Sequence, residues 1–379
     1  MTALLTTGAV HAAGLPDPLI EPDGSRVATV ARWEQVRRPE VLELFGTQVY
    51  GRAPVGRPET LRFETMESET NAIEGKALKK RVRIAYAGPR GESGFPVTCF
   101  YPETGAIKGC FVLIVNRSRK IIDEAEKNQA DFWPVRDLIA RGYATVAFHN
   151  SDVAPDQKDT GFKSGVFGVF GPAGEERPAD AWATIAAWSW GTSRVVDFLE
   201  TEPRLNGVPL AVAGHSRGGK AALWCGAQDM RVALTISNNS GCSGAALARG
   251  TTGETVKVIN EQFPHWFAAN YKSYGDRVAE LPVDQHALLA LLAPRLVYVA
   301  SASEDTNADP QAEFRACVEA APVYALYGLK GVGLTDFPAV GEARHTGEIG
   351  YHVRAGEHDL KREDWARFMD YADVRLRVP

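Results

Sequence analysis

The sequence predicts an α/β class fold, a three-layer sandwich with a mostly parallel central sheet, helices on both faces and long inserted loops. Three observations predict it. Short continuous apolar runs, "GCFVLIVN", "ATVAFHN", "PLAVAG", "VALTISNN" and "RLVYVASAS", read as strands buried on both sides. Helical segments alternate with them: "FWPVRDLIARGY", "WATIAAWSWGTSRVVDFLETE", "GGKAALWCGAQD" and "DPQAEFRACVEAAPVYALYG". The chain has 379 residues, 45% of them hydrophobic, which is ample for a large core.

Taken in order, the opening "MTALLTTGAVHAAGLPDP" carries no charge before Asp17 and has small residues at Ala12 and Ala13. It reads either as the rear of a secretory signal peptide cleaved near Ala12 or as an Ala-rich extended terminus. Residues 1–30 are therefore set apart as leader-like or extended, and 31–379 as one domain. "WEQVRRPEVLELFGTQVYG" predicts a helix ending at a glycine. "LRFETMES", "KKRVRIAYAG" and "FPVTCFYPE", separated by turn residues, predict antiparallel strands ahead of the alternating region. Two stretches interrupt the alternation, Ser151 to Asp180 and Gly241 to Arg277; loops of this length usually form lids or binding walls.

Lys and Arg number 42 against 47 Asp and Glu, a net charge of −5 with no basic block. Nucleic acid and anionic membranes are thereby excluded as main partners, and a neutral or weakly charged substrate is favoured. The longest apolar stretch, Ala287 to Ala300, is interrupted by Pro294 and Arg295, so no spanning helix is expected. The five cysteines are too few and too scattered for a disulfide scaffold, and they follow no metal-ligand spacing.

The chemistry is carried by "PLAVAGHSRGGKAALWCGA". A strand enters Gly214-His215-Ser216-Arg217-Gly218 and a helix leaves it, the context of a G-x-S-x-G nucleophile elbow. Glycines admit close backbone approach there, and the helix N-terminus favours developing negative charge beside Ser216. The same letters satisfy G-x-x-x-x-G-K, but Ala221 stands where a phosphate loop needs a hydroxyl for Mg²⁺.

A serine needs a base oriented by a carboxylate, following it in the order serine, acid, histidine. Of the late histidines, His358 in "RAGEHD" lies on a loop between the strand-like "YHVR" and the final helix, whereas His352 lies within the strand. Asp305, at the end of "RLVYVASAS", is the preferred acid, with Glu304 and Asp309 as alternatives.

Together, "GHSRGGKAALW", "ISNNSGCSGAAL", "FPHWF", "LPVDQHALLALLAPRLVYVAS" and "DAWATIAAWSWGTSR" resemble carbohydrate esterase family 15, the glucuronoyl esterases, in its bacterial form. The resemblance runs from about Trp33 to the C-terminus. It implies an α/β-hydrolase that cleaves esters between 4-O-methyl-glucuronate of glucuronoxylan and lignin alcohols, with no metal or organic cofactor. It implies Ser216 as nucleophile, His358 as base, Arg217 in the oxyanion hole, and Lys220 and Glu261 on the sugar. Trp266 and Trp182 are candidate walls of a saccharide cleft, and Asn116 a candidate oxyanion contributor. The protein is expected to be secreted or periplasmic, and a monomer.

Three positions depart from the family pattern. Asn239 stands where many members carry a catalytic Glu, Asn307 where a sugar-stacking Trp is frequent, and His215 where fungal relatives have Cys, which leaves Cys225 and Cys242 near the site as thiols or as a possible pair. They leave two other readings open: an esterase for a different carbohydrate ester, such as acetylated xylan, and a carbohydrate-binding relic with an impaired triad.

Overall fold

The computed structural model describes residues 14–127, 130–159, 161–171 and 176–376. The leader-like stretch and the cleavage expected near Ala12 lie outside the described residues. Leu19 and Val27, which follow them, are buried in the core, and Arg37 Nε donates to the Pro18 carbonyl at 3.1 Å.

Ten strands form one sheet: β1 (Arg62–Asn71), β2 (Ala77–Gly88), β3 (Gly91–Pro102), β4 (Cys110–Val115), β5 (Ala144–His149), β6 (Leu210–His215), β7 (Val232–Asn238), β8 (Leu296–Ala302), β9 (Ala343–Arg344) and β10 (Ile349–Arg354). Their order is β1-β2-β3-β5-β4-β6-β7-β8-β10-β9. From β5 through β10 the pairings are parallel, while β1 to β3 and the short β9 add antiparallel edges. Every residue of β4, β6, β8 and β10 is buried, as continuous apolar runs require of strands covered on both faces.

The alternating pleat divides the core. Val112 and Ile114 face the helices Thr184–Leu199, Arg217–Gln228, Gln285–Ala290 and Pro310–Leu326, whereas Phe111, Leu113 and Val115 face Val135–Ala140 and Arg362–Arg375. The structure thus has the α/β-hydrolase architecture. The expected N-terminal helix runs from Val30 to Tyr50 with widened turns at Trp33–Arg37 and Gly46–Tyr50. It stops at Gly51, whose φ of 85° a side chain resists and whose Cβ would meet the Ala181 carbonyl oxygen at 2.2 Å.

The strand order reverses at β4, which lies between β5 and β6. A crevice opens at such a point beyond the carboxyl ends of the strands, and β6 delivers Ser216 there. The turn after β6 is tight enough that a Cβ on Gly214 would lie 2.1 Å from the Gly218 carbonyl oxygen. Gly214→Ala is therefore expected to cost about 3 kcal/mol, the upper end for overpacking, read as a lowered urea midpoint with unchanged slope. A midpoint equal to the wild type would contradict this account of the turn.

Candidate active site

Ser216 holds φ 55° and ψ −125°, a conformation that non-glycine residues seldom adopt. The surrounding backbone over-determines it. Ser216 N donates to the Asn238 carbonyl at 2.9 Å, and the amides of Gly219 and Lys220 donate to the Ser216 carbonyl at 2.9 and 3.2 Å. The side chain opens into a cavity of about 360 Å³ that is also lined by Arg217, Lys220, Glu254, Trp266, Asp305 and His358. Two larger hollows, of about 610 and about 990 Å³, have no histidine in their walls.

His358 arrives on the loop after β10, and Asp305 on the loop after β8. His358 Nδ1 lies 2.5 Å from Asp305 Oδ2. Burial pushes the Asp305 carboxyl up, but hydrogen bonds from His358 and from Asn239 outweigh it and leave its pKa below the ordinary carboxylate value. An ionised Asp305 only accepts, so the imidazole proton sits on Nδ1 and Nε2 keeps a free lone pair for a neighbouring hydroxyl. Of the three acids considered, Asp305 alone meets His358. Glu304 is exposed, and Asp309 caps the helix Pro310–Leu326 while accepting from Thr251 and Thr252.

Asn239 donates from Nδ2 to Asp305 Oδ2 at 2.8 Å. The amide at this position thus touches the acid that meets His358. His215, next to Ser216, packs its ring against that of His358 with centroids 4.5 Å apart. Arg117 donates to His215 Nε2 at 3.2 Å, so Nδ1 carries the proton and donates to Asn238 Oδ1 at 2.7 Å. Burial, reinforced by His358, drives the His215 pKa down to about 3, and the ring is neutral at working pH.

The opposite wall holds two cations on the first turn of the helix Arg217–Gln228, where they oppose the helix dipole. Arg217 is compensated by an ion pair from Nη1 to Asp156 and by the rings of Trp266 and Phe263, 4.7 and 5.6 Å away. Its Nε is buried and, among the described residues, has no hydrogen-bond partner. Lys220 is buried, donates to the Ser240 carbonyl, and has its pKa lowered by desolvation. Phe263 and Trp266 stack in parallel at 3.8 Å, giving the cavity a stiff aromatic side.

Several expectations need correction. Glu261 is exposed and lines a separate surface hollow with Lys257 and Lys272, because it lies about 200° around the helix from Ile259, on the inward face. The acid that does enter the cavity is Glu254, just ahead of the Thr255 helix cap. Burial raises the Glu254 pKa against the pull of Lys220. Asn116 donates to the His215 carbonyl at 3.1 Å and is not among the cavity-lining residues. Trp182 is core, packed edge-on against Phe167 and Trp190. Cys225 and Cys242 are both free, the first against Ser193 and the second against Ser243.

Sequence reasoning missed Glu254 and Asp156. Helical periodicity would have turned Glu261 outward, but nothing local marks either of the missed acids. Among the described residues, no three His, Cys, Asp or Glu side chains converge as a metal ion requires, and no helix is long and apolar enough to cross a membrane.

Comparison with known proteins follows the same lines. The family model described as "Glucuronyl esterase, fungi" matches residues 128–328. The chain is 36% identical to carbohydrate esterase MZ0003 from an unknown prokaryotic organism, over 96% of this chain and 89% of that protein. It is 30% identical to a 4-O-methyl-glucuronoyl methylesterase of Schizophyllum commune, over 74% of this chain and 65% of the relative. Among solved structures, a glucuronoyl esterase from Solibacter usitatus superposes with a TM-score of 0.87 at 34% identity, covering 95% of this chain and 97% of that one.

The Asn239 contact yields a direct expectation. A hydrogen bond to a charged acceptor is worth about 1.5–3 kcal/mol, so Asn239→Ala is expected to lower kcat for ester hydrolysis at least about tenfold, with KM little changed. An unaltered kcat would show that the amide contributes nothing to orienting Asp305.

Proposed function

The chain belongs to carbohydrate esterase family 15, the glucuronoyl esterases, in its bacterial form, and from that premise we propose that it hydrolyses the ester joining 4-O-methyl-glucuronate of glucuronoxylan to lignin alcohols. It is a carboxylic ester hydrolase by family. The observation that carries the substrate reading is one cavity combining Ser216, the His358–Asp305 pair, a cation–carboxylate set suited to hydroxyls and an aromatic wall.

In this reading His358 Nε2 takes the Ser216 proton as Oγ attacks the ester carbonyl. Arg217 and nearby backbone amides balance the charge on the tetrahedral oxygen, and a fixed cation there acts without reorganising. His358 then protonates the departing alcohol. Water, deprotonated by the same imidazole, attacks the acyl-enzyme and releases the glucuronate carboxylate and Ser216. Asp305 holds the tautomer and offsets the charge of the imidazolium. The neutral His215 ring supports that charge by packing without adding a second one.

For the sugar, Glu254 accepts from ring hydroxyls, Lys220 donates to ring oxygens, and Trp266 with Phe263 covers an apolar face. Asn307, exposed on the cavity rim, leaves the side of the frequent stacking Trp open. The substrate is a cell-wall polymer, which supports a secreted or periplasmic enzyme.

The test compares ester substrates. Methanol release from methyl 4-O-methyl-glucuronate is expected to exceed acetate release from acetylated xylan, and Ser216→Ala is expected to lose about 10⁴-fold or more of the activity. Faster acetate release would refute the substrate, and equal rates for wild type and Ser216→Ala would refute the enzyme. Glu254→Gln is expected to raise KM for the glucuronate ester about tenfold, equivalent to about 1.4 kcal/mol of lost binding.

A further inference from the structure

We infer that Asp156 is a positioning residue for the reaction, a carboxylate that locks the Arg217 guanidinium in the orientation the oxyanion requires; the inference rests on the oxyanion reading of Arg217 given above. Asp156 lies in the inserted loop between the short helices Asn150–Val153 and Gly161–Lys163, far in sequence from both segments it joins. Its Oδ1 accepts from His265 Nε2 at 2.8 Å and from Trp266 Nε1 at 2.7 Å, and its Oδ2 takes Arg217 Nη1. One side chain therefore ties the nucleophile turn to the aromatic wall.

The physical need follows from the chemistry of arginine. A guanidinium on a flexible stem has many orientations, and an unheld cation near a reacting carbonyl must be ordered at each turnover. Here Nη1 is fixed on Asp156 and the planar group lies over Trp266, a ring that Asp156 itself anchors. With those two restraints the orientation is set, and among the described residues the buried Nε–H has no partner. The carboxylate stays ionised to do this: burial raises its pKa, but the bonds from His265 and Trp266 and the Arg217 charge bring it below the ordinary value.

Glu254 shows why the restraint matters. Its carboxylate lines the cavity that Arg217 also lines, and its electrostatic influence and that of Arg217 reach each other. Without Asp156, Arg217 can pair with Glu254 or turn toward solvent, and either choice removes the cation from the reacting carbonyl. Asp156 thus keeps oxyanion stabilisation and sugar binding on separate groups.

A double-mutant cycle tests this with the full chain and methyl 4-O-methyl-glucuronate as the probe. Asp156→Ala is expected to lower kcat about 10- to 100-fold with a smaller change in KM, as loss of a transition-state interaction does. In the Arg217→Ala background the same substitution is expected to change kcat less than about twofold, because a residue acting through Arg217 has nothing left to position. An equal loss in both backgrounds would overturn the inference, since a merely structural role predicts it. Should Asp156→Ala fail to fold, Asp156→Asn carries the cycle, as it keeps one acceptor oxygen and removes the charge. Arg217→Ala at the wild-type rate would overturn the oxyanion reading itself. A slow Arg217→Ala beside a fast Asp156→Ala would overturn the positioning role alone.

Discussion

The contact between His358 Nδ1 and Asp305 Oδ2 is the interaction around which the rest of this end of the sheet is organised. It joins two loops that leave adjacent parallel strands, β8 and β10, at the same edge. The loops are zipped to each other by Ser303 N on the Arg354 carbonyl at 2.8 Å and Glu304 N on the Gly356 carbonyl at 3.0 Å. Arg354, buried and paired with Asp364, donates to the carbonyls of Ala355, Glu357 and Asp359. Arg117 donates to the carbonyl of His358 from the other side at 3.3 Å. Two guanidiniums therefore shape the turn that carries the imidazole, which is how a loop acquires the fixity of a strand.

Charge is distributed so that each group has one task. Asp305 accepts from His358 and from Asn239, so the negative charge is localised on the later strand and the earlier position contributes a dipole. A second carboxylate at 239 would lie against the first, and like charges at that separation cannot both be ionised without cost. His215 remains uncharged beside His358, and Arg217 is matched by Asp156. Glu313, buried beneath the site and bonded to Ser301 and the Gly241 amide, is pushed up to about 7 by desolvation and belongs to the support of this floor.

Much of this was legible in the sequence for identifiable reasons. Continuous apolar runs announce buried parallel strands, and a serine between glycines after such a run has few conformations open to it. His358 stood out because it alone followed the last strand on a loop. Among the acids that follow β8 the sequence favours Asp305, with Glu304 and Asp309 as alternatives, and the backbone after β8 turns Asp305 alone to His358. The resemblance puts Glu261 on the sugar, whereas helical phase turns it outward. Asp156 and Glu254 lie on irregular loops, where no periodicity links a residue to what it faces. Cys225 and Cys242 do not pair, because the first thiol meets Ser193 and the second Ser243.

The most direct measurement is kcat for Asp305→Asn on methyl 4-O-methyl-glucuronate at neutral pH, with folding checked by thermal unfolding. The account predicts a fall of about 10⁴-fold in kcat at nearly constant KM, as when an amide imposes the wrong imidazole tautomer. A variant turning over within a few-fold of the wild type would contradict it, for the charge that orients His358 would then reside elsewhere.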